Sequence, residues 1–103
     1  MKAPIVLALV AAAFSMTGTA HAAVKLSQGL NWAESTGTAV RAYDGEKDGN
    51  GVYAEYYLKN GGHGYAWDGN GADTNPGPWA KVGPITKFRV CEDHGHCSNW
   101  HTF

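Results

Sequence analysis

The sequence predicts an all-β fold, a small antiparallel β-sandwich or partly open barrel of about five to six short strands with one disulfide. Three observations support this prediction. Every glycine except Gly18 lies after residue 22, together with all four tryptophans and all five tyrosines. Glycine supplies tight turns, while aromatic side chains favour strands and dominate buried area. Polar and apolar residues also alternate in two segments, and two cysteines lie close together near the C-terminus.

The first 22 residues are typical of a secretory signal peptide. Lys2 supplies one positive charge, an uninterrupted apolar run follows at residues 5–14, and Ala20-His21-Ala22 has the small-x-small form that signal peptidase accepts. The run is too short for a membrane anchor, because a helix that crosses a bilayer needs about 20 apolar residues. We therefore expect cleavage after Ala22, secretion, and one extracellular domain at residues 23–103 that does not insert into a membrane.

The length and net charge of the chain limit the classes of partner that the protein can bind. Removing 22 of the 103 residues leaves 81, which suffices for a single small domain with a thin core. The whole chain has a formal net charge of −1, and Lys2 is the only charged residue of the leader, so residues 23–103 are slightly more acidic. A nucleic acid or an anionic membrane requires a basic surface. The composition therefore argues against nucleic acid as a partner.

The segment before residue 52 contains one clear strand pattern. Residues 23–36 show no regular period and predict a loosely structured arm with one short strand at most. Residues 38–43 alternate and predict a strand. Residues 44–51 contain three glycines and no apolar side chain, and they predict a surface loop.

The most regular strand is predicted at residues 52–59. Alternation places Tyr53, Glu55 and Tyr57 on a polar face, with apolar residues on the other face. Asn60-Gly61-Gly62 supplies turn residues, so residues 64–67 are expected to return as the partner strand of a hairpin. Residues 68–84 are rich in glycine and proline and predict a long loop around one aromatic residue.

The C-terminal residues predict a hairpin clipped by a disulfide between Cys91 and Cys97, because an even pair of cysteines in a small exported chain most simply forms a bridge. If the two cysteines lie opposite each other in an antiparallel hairpin, the whole pairing is set, because the residue numbers of every cross-strand pair add up to the same value as 91 and 97. This register sorts the side chains into an apolar and a polar face. The apolar face holds Phe88, Val90 and Trp100, and the polar face holds Lys87, Arg89, Asn99, His101 and the disulfide.

Residues 46–53 resemble the first two thirds of an EF-hand calcium loop, with oxygen-bearing side chains at alternate positions and a glycine at the sixth. Tyr57 stands at the twelfth position, where the motif needs a bidentate carboxylate, and a strand is predicted to follow. A polar turn without a cofactor is therefore the leading interpretation. The alternative is weak calcium binding through four side chains: Asp44, Glu46, Asp48 and Asn50.

Other polar combinations predict no site. His94 and His96 are ligand types for zinc or copper, but they are expected to be solvated in a tight turn, with the nearby thiols oxidised. Ser98, His96 and Asp93 lie too close together in one hairpin to be aligned as a hydrolase triad. We therefore predict no catalytic residue.

Three aromatic side chains are candidates for a binding surface. Tyr53 and Tyr57 share the polar face of the most regular strand, and Trp79 lies in the long loop. Exposed rings stack on sugar rings or on a protein partner. The alternative is that a second sheet covers this face and makes the tyrosines part of the core.

The segments Ala42-Tyr43-Asp44, Asp48 to Tyr57, Asn70 to Thr74, Phe88-Arg89-Val90-Cys91 and Cys97-Ser98-Asn99-Trp100 resemble small secreted proteins of actinobacteria. Those proteins share the patterns D-G-x-x-V-x-A-x-Y and R-V-C followed by C-x-x-W. The short spacing of the cysteines departs from them and shortens the hairpin tip. The resemblance implies export and a β fold, and no catalytic residue is carried over.

We therefore predict a secreted, non-enzymatic interaction module that binds an extracellular protein or a cell-wall glycan. A secreted inhibitor or antibacterial effector is a second hypothesis, in which the loop around Trp79 or the turn at His94 inserts into a target. A small extracellular hydrolase is the third.

Overall fold

A computed structural model describes residues 22–69 and 72–103. Only Ala22 of the predicted signal peptide belongs to these ranges, and the rest of that prediction lies outside the described residues. The described chain contains eight strands and no helix, arranged as two antiparallel sheets of four strands each. Six of the strands have five or more residues, and two have only two. The predicted all-β fold is confirmed.

The first sheet has the strand order β1-β2-β3-β6. Its strands are β1 (Val24–Gln28), β2 (Asn31–Ser35), β3 (Ala39–Tyr43) and β6 (Ala80–Lys81). The loose arm predicted at residues 23–36 is wrong, because β1 and β2 form a hairpin whose turn uses Gly29 at a φ of 62°. The hairpin escapes prediction because β2 buries Asn31, Ala33 and Ser35. Because two of these inward residues are polar and the third is small, the strand shows no alternation of apolar and polar residues in the sequence.

The second sheet has the order β5-β4-β7-β8. Its strands are β4 (Val52–Leu58), β5 (His63–Trp67), β7 (Ile85–Glu92) and β8 (His101–Thr102). The predicted hairpin of β4 and β5 is confirmed, and Gly61 makes its turn at a φ of 92°. Strand β4 also pairs with β7 along its whole length, so it lies in the middle of the sheet.

The two sheets share one thin core. Four of its nine fully enclosed side chains are alanines, and Phe88 is the largest. The core members are Ala33, Val40, Ala42, Val52, Ala54, Ala66, Ile85, Phe88 and Val90. They come from both sheets and alternate along the strands except between Ile85 and Phe88, where the register of β7 against β4 shifts. Each sheet therefore gives one face to the core. The other residues of the strands line the two outer faces.

The disulfide is confirmed, but the register predicted beyond it is wrong by one residue. Cys91 lies opposite Cys97 and is bonded to it, whereas Phe88 pairs with His101 instead of Trp100. Ser98 produces the offset, because its hydroxyl accepts the Val90 N–H at 3.1 Å where a backbone carbonyl would otherwise accept. One extra residue then fits between Ser98 and His101, as in a β-bulge.

This offset exchanges the faces of two aromatic residues. Trp100 lies on the outer face, with its ring beneath the charged groups of Lys87 and Arg89. His101 lies beside the core, with its ring 5.9 Å from that of Phe88. The prediction that Trp100 joins the core and His101 the polar face is therefore wrong.

Opening the disulfide should destabilise the domain without changing its fold. Cys97 is exposed, so Cys97→Ser opens no cavity. For a separation of six residues, the loop-closure model gives a loss of about 2 kcal/mol. In a domain of this size that loss corresponds to roughly 10 °C in melting temperature. Thermal unfolding followed by circular dichroism measures it, and Cys97→Ser should no longer respond to reductant. An unchanged melting curve after verified reduction would contradict the prediction.

Candidate functional site

Strand register gathers most of the exposed rings of the described residues on the outer face of the second sheet. On one side of β4, Tyr53 pairs with Trp67 and Tyr57 with His63, while Tyr65 lies opposite Glu55. Directly opposed residues of neighbouring strands project to the same face of a sheet. On the other side of β4, Arg89 and Lys87 of β7 project to this face as well. We call the set the aromatic face: Tyr53, Glu55, Tyr57, His63, Tyr65, Trp67, Lys87, Arg89 and Trp100.

The rings of the aromatic face form an unbroken series of contacts. The series starts at Trp67, whose ring centroid lies 4.7 Å from that of Tyr53, and continues through Tyr65 at 5.4 Å. From Tyr65 it passes to His63 at 5.0 Å, then to Tyr57 at 4.2 Å and Trp100 at 5.6 Å. His63 and Tyr57 are stacked almost parallel, with 3° between their planes.

The aromatic face is open to solvent. Tyr65 is 51 % exposed and Trp67 is 46 % exposed. The first sheet packs on the opposite, inner side of β4, where Val52 and Ala54 lie in the core. Tyr53 and Tyr57 therefore lie half-buried in a surface, and the alternative in which a second sheet covers them does not hold in the described chain.

Glu55 lies at the centre of the aromatic face and is only 8 % exposed. Its Oε2 lies 2.7 Å from His63 Nε2. Its Oε1 accepts a hydrogen bond from Arg89 Nε at 2.9 Å and forms an ion pair with the Arg89 terminal nitrogen at 2.8 Å. Burial acts to raise the pKa of Glu55, but the hydrogen bonds from His63 and Arg89 and the charge of Arg89 outweigh it and lower the pKa. Glu55 is therefore an ionised anchor between three strands.

The hydroxyl of Tyr53 stays protonated beside this anion. Burial, and then the negative charge of Glu55, raise the pKa of Tyr53 above its ordinary value. A protonated phenol both donates and accepts hydrogen bonds. Tyr53 thus offers a polar group at the edge of the ring series.

Two cations complete the aromatic face. Lys87 Nζ lies 4.5 Å from the ring centroid of Trp100 and 5.1 Å from that of Tyr57, and the Arg89 guanidinium lies 4.4 Å from Trp100. Arg89 neutralises Glu55, whereas no carboxylate within the described ranges lies within 4 Å of Lys87. The aromatic face therefore carries a positive charge that is paired only with rings.

Trp79 does not belong to the aromatic face. Its ring contacts the guanidinium of Arg41 at 4.5 Å, and Arg41 also lies over Trp32 and is paired with Glu34 at 2.9 Å. Trp32, Glu34 and Arg41 project from the outer face of the first sheet. The structure therefore unites Tyr53 with Tyr57 on one sheet and separates Trp79 from both.

Most residues of the aromatic face are not among the three binding residues that the sequence predicts. Tyr65 and Trp67 follow from the hairpin that the sequence does predict, because they alternate in the partner strand of Tyr53 and Tyr57. No local pattern reveals Trp100, since its position depends on the irregularity at Ser98. The sequence predicts Arg89 on the polar face of its hairpin, but it does not predict the contact with Glu55, which spans 34 residues.

The predicted calcium ligands lie at one end of the sandwich, and the structure brings two of the four together. Glu46 and Asp48 approach Glu92, which the sequence did not suggest, so that one oxygen of each carboxylate lies within 4.8 Å of the others. Asn50 contributes a side-chain amide that donates to Glu92 at 3.4 Å. Asp44 is buried, and its carboxylate accepts the Glu46 N–H at 3.1 Å.

Three of the predicted ligands, Asp44, Glu46 and Asn50, line an open acidic cavity of about 610 Å³. Its other lining residues are Lys47, Gly49, Gly51, Asp68, Gly69 and Ala72. The side-chain interaction between Asp48 and Glu92 lowers the pKa of Asp48 and raises that of Glu92. The polar-turn interpretation also has direct support, since Asp48 Oδ1 accepts the Asn50 N–H at 3.0 Å. Calcium binding stays a prediction.

No model of a known protein family matches the chain, and no curated protein or solved structure is significantly similar to it. Within the two described ranges there is no helix of the length and apolar character that crosses a bilayer.

The Glu55 anchor should make stability depend on pH in a defined direction. Because the folded-state pKa is lowered, its contribution is present above the ordinary glutamate pKa of about 4.3 and is lost as the pH falls through the folded-state pKa. Glu55→Gln should remove this dependence and lower the free energy of unfolding at neutral pH by about 1–3 kcal/mol.

Urea unfolding between pH 3 and pH 7 measures this effect. Glu34→Gln is the matched control, because the more exposed pair with Arg41 should contribute less than about 1 kcal/mol. Equal losses in the two variants, or a pH profile that Glu55→Gln leaves unchanged, would refute the assignment.

The coupling between the Asp48 and Glu92 carboxyl groups is open to direct measurement. Carboxyl carbon NMR should show a raised pKa for Glu92, and Asp48→Asn should bring it back toward the ordinary value. Asp73→Asn is the control, since Asp73 makes a similar turn with Asn75 outside the cluster. If calcium binds here, millimolar calcium should lower the apparent pKa of Glu92 and release calorimetric heat. If millimolar calcium neither lowers the apparent pKa of Glu92 nor releases heat, the calcium hypothesis is refuted.

Proposed function

We propose that this protein is a secreted, non-enzymatic interaction module that binds an extracellular protein or glycan through the aromatic face. The observation that supports it is the continuous series of ring contacts from Trp67 to Trp100, on a sheet face that no other part of the described chain covers. Grouped exposed rings are typical of interaction sites, since each ring buries a large area on contact.

The internal contacts of the aromatic face favour binding because they hold its side chains before a ligand arrives. Tyr57 is stacked on His63, and His63 forms a hydrogen bond with Glu55. Side chains that are already ordered lose little conformational entropy when a ligand binds. Tyr and Trp also combine a broad apolar surface with a hydrogen-bonding group, which suits a ligand that is part polar and part apolar.

Secretion is part of this proposal. It is supported by the leader pattern at residues 1–22, by the resemblance to small secreted actinobacterial proteins, and by the disulfide between Cys91 and Cys97. Disulfides form and persist in oxidising compartments outside the cytoplasm. The non-enzymatic character is supported by Glu55, which is held ionised by two partners instead of being poised to donate a proton.

The four tryptophans allow the proposal to be tested by position. Trp67 and Trp100 lie on the aromatic face, while Trp32 and Trp79 lie on the outer face of the other sheet. When the oxidised protein is titrated with soluble cell-wall polysaccharides and with fractionated secreted proteins, a ligand should shift the indole NMR signals of Trp67 and Trp100. The signals of Trp32 and Trp79 should stay in place.

Matched substitutions extend the test. Trp67→Ala should weaken binding of that ligand roughly tenfold or more, because tryptophan is among the residues whose truncation costs most at interfaces, whereas Trp79→Ala should change it less than about twofold. Preferential shifts of Trp32 and Trp79, or a loss confined to Trp79→Ala, would place binding on the wrong sheet. Failure of every polysaccharide and protein fraction to move any indole signal would refute the proposal.

A further inference from the structure

We propose that the ligand of the aromatic face is an anionic glycan, whose sugar rings stack on the exposed aromatic side chains and whose carboxylate groups bind Lys87. This inference rests on the proposed function and adds the chemical class of the ligand. It depends on the ring types, on the polar groups between the rings, and on the balance of charge.

The composition of the aromatic face favours a sugar over an apolar protein surface. It contains tyrosine, tryptophan, histidine, lysine, arginine and glutamate, and no exposed aliphatic side chain. The flat faces of half-exposed Tyr65 and Trp67 match the carbon-bound hydrogens on one side of a pyranose ring. Phenol and indole groups at the ring edges supply donors and acceptors for sugar hydroxyls.

The extent of the series favours a chain of sugars over a single one. Tyr65 lies on β5 and Lys87 on β7, with β4 between them. Two strand spacings amount to roughly 10 Å. A ligand that stacks on Tyr65 and also reaches Lys87 is therefore longer than a monosaccharide.

Charge complementarity favours an anionic chain. Glu55 and Arg89 neutralise each other, so Lys87 supplies the uncompensated charge of the aromatic face. The chain as a whole has a formal net charge of −1, and several of its carboxylates gather instead around the acidic cavity. An anionic ligand is thus attracted to the aromatic face and repelled from the cavity. One unpaired lysine can bind one carboxylate of an acidic polysaccharide, and it falls short of the basic patch that a nucleic acid needs.

A matched pair of probes tests this inference. Oligomers of polygalacturonate carry one carboxylate on each sugar, and full methyl esterification keeps the backbone but removes the charge. The oxidised protein should bind the acid form roughly tenfold more tightly than the ester, because a charged hydrogen-bond partner is lost in the ester. Raising the salt concentration should weaken binding of the acid form alone.

Substitutions at Lys87 show whether that residue binds the carboxylate groups of the acid form. Lys87→Gln should reduce the affinity for the acid form to that for the ester, and Lys87→Arg should restore most of it. Lys81→Gln is the control, because Lys81 is an exposed lysine on β6 of the other sheet. Indole shifts of Trp67 and Trp100 confirm that the probe occupies the aromatic face.

The outcomes separate this inference from the proposed function. Equal affinity for acid and ester, with Trp67 shifted by both, would overturn the anionic ligand and leave a neutral glycan module. Binding of a secreted protein at Trp67 with neither probe bound would overturn the glycan and leave a protein-binding module. An acid-form preference that Lys87→Gln does not alter would overturn the role of Lys87. No shift of Trp67 or Trp100 with any ligand refutes both.

Discussion

The outer face of the second sheet depends on how one carboxylate is compensated. Glu55 is almost fully buried, and a buried charge is tolerated only when it is paired and hydrogen-bonded. His63 of β5 and Arg89 of β7 provide that pairing from opposite sides of β4. Each partner also contacts an aromatic ring, because His63 stacks on Tyr57 and Arg89 lies over Trp100. The group that joins three strands electrostatically therefore also orders the rings around it.

A small sandwich leaves most of its rings outside the core. The nine core residues include four alanines, and among the described aromatic residues only Phe88 is buried. A chain of this size has much surface for its volume, so most of the remaining rings lie on the outer faces, while Tyr56 and Phe103 pack against the core. Size explains their exposure but not their arrangement. Their mutual contacts follow from strand register, which places a ring or a cation at nearly every outward position of β4, β5 and β7.

The near-neutral net charge conceals a strong separation of charge. The carboxylates of Glu46, Asp48 and Glu92 converge at one end of the sandwich, whereas Lys87 and Arg89 lie on the aromatic face. The converging carboxylates affect one another, and the interaction with Asp48 raises the pKa of Glu92. The two regions thus favour ligands of opposite charge, which the composition of the chain does not reveal.

The all-β class and the hairpin of β4 and β5 are predictable from the sequence, because alternation and turn residues are local signals. The bond between Cys91 and Cys97 is predictable because the chain contains only these two cysteines. The tertiary structure was needed to reveal the hairpin of β1 and β2, whose inward Asn31 and Ser35 give no alternating apolar pattern. It also decided that Trp100 faces outward, through one hydroxyl group of Ser98, and that Glu92 joins Asp48. Such contacts join segments far apart in the chain. They depend on which strands pair and in what register, and a local pattern does not encode that choice.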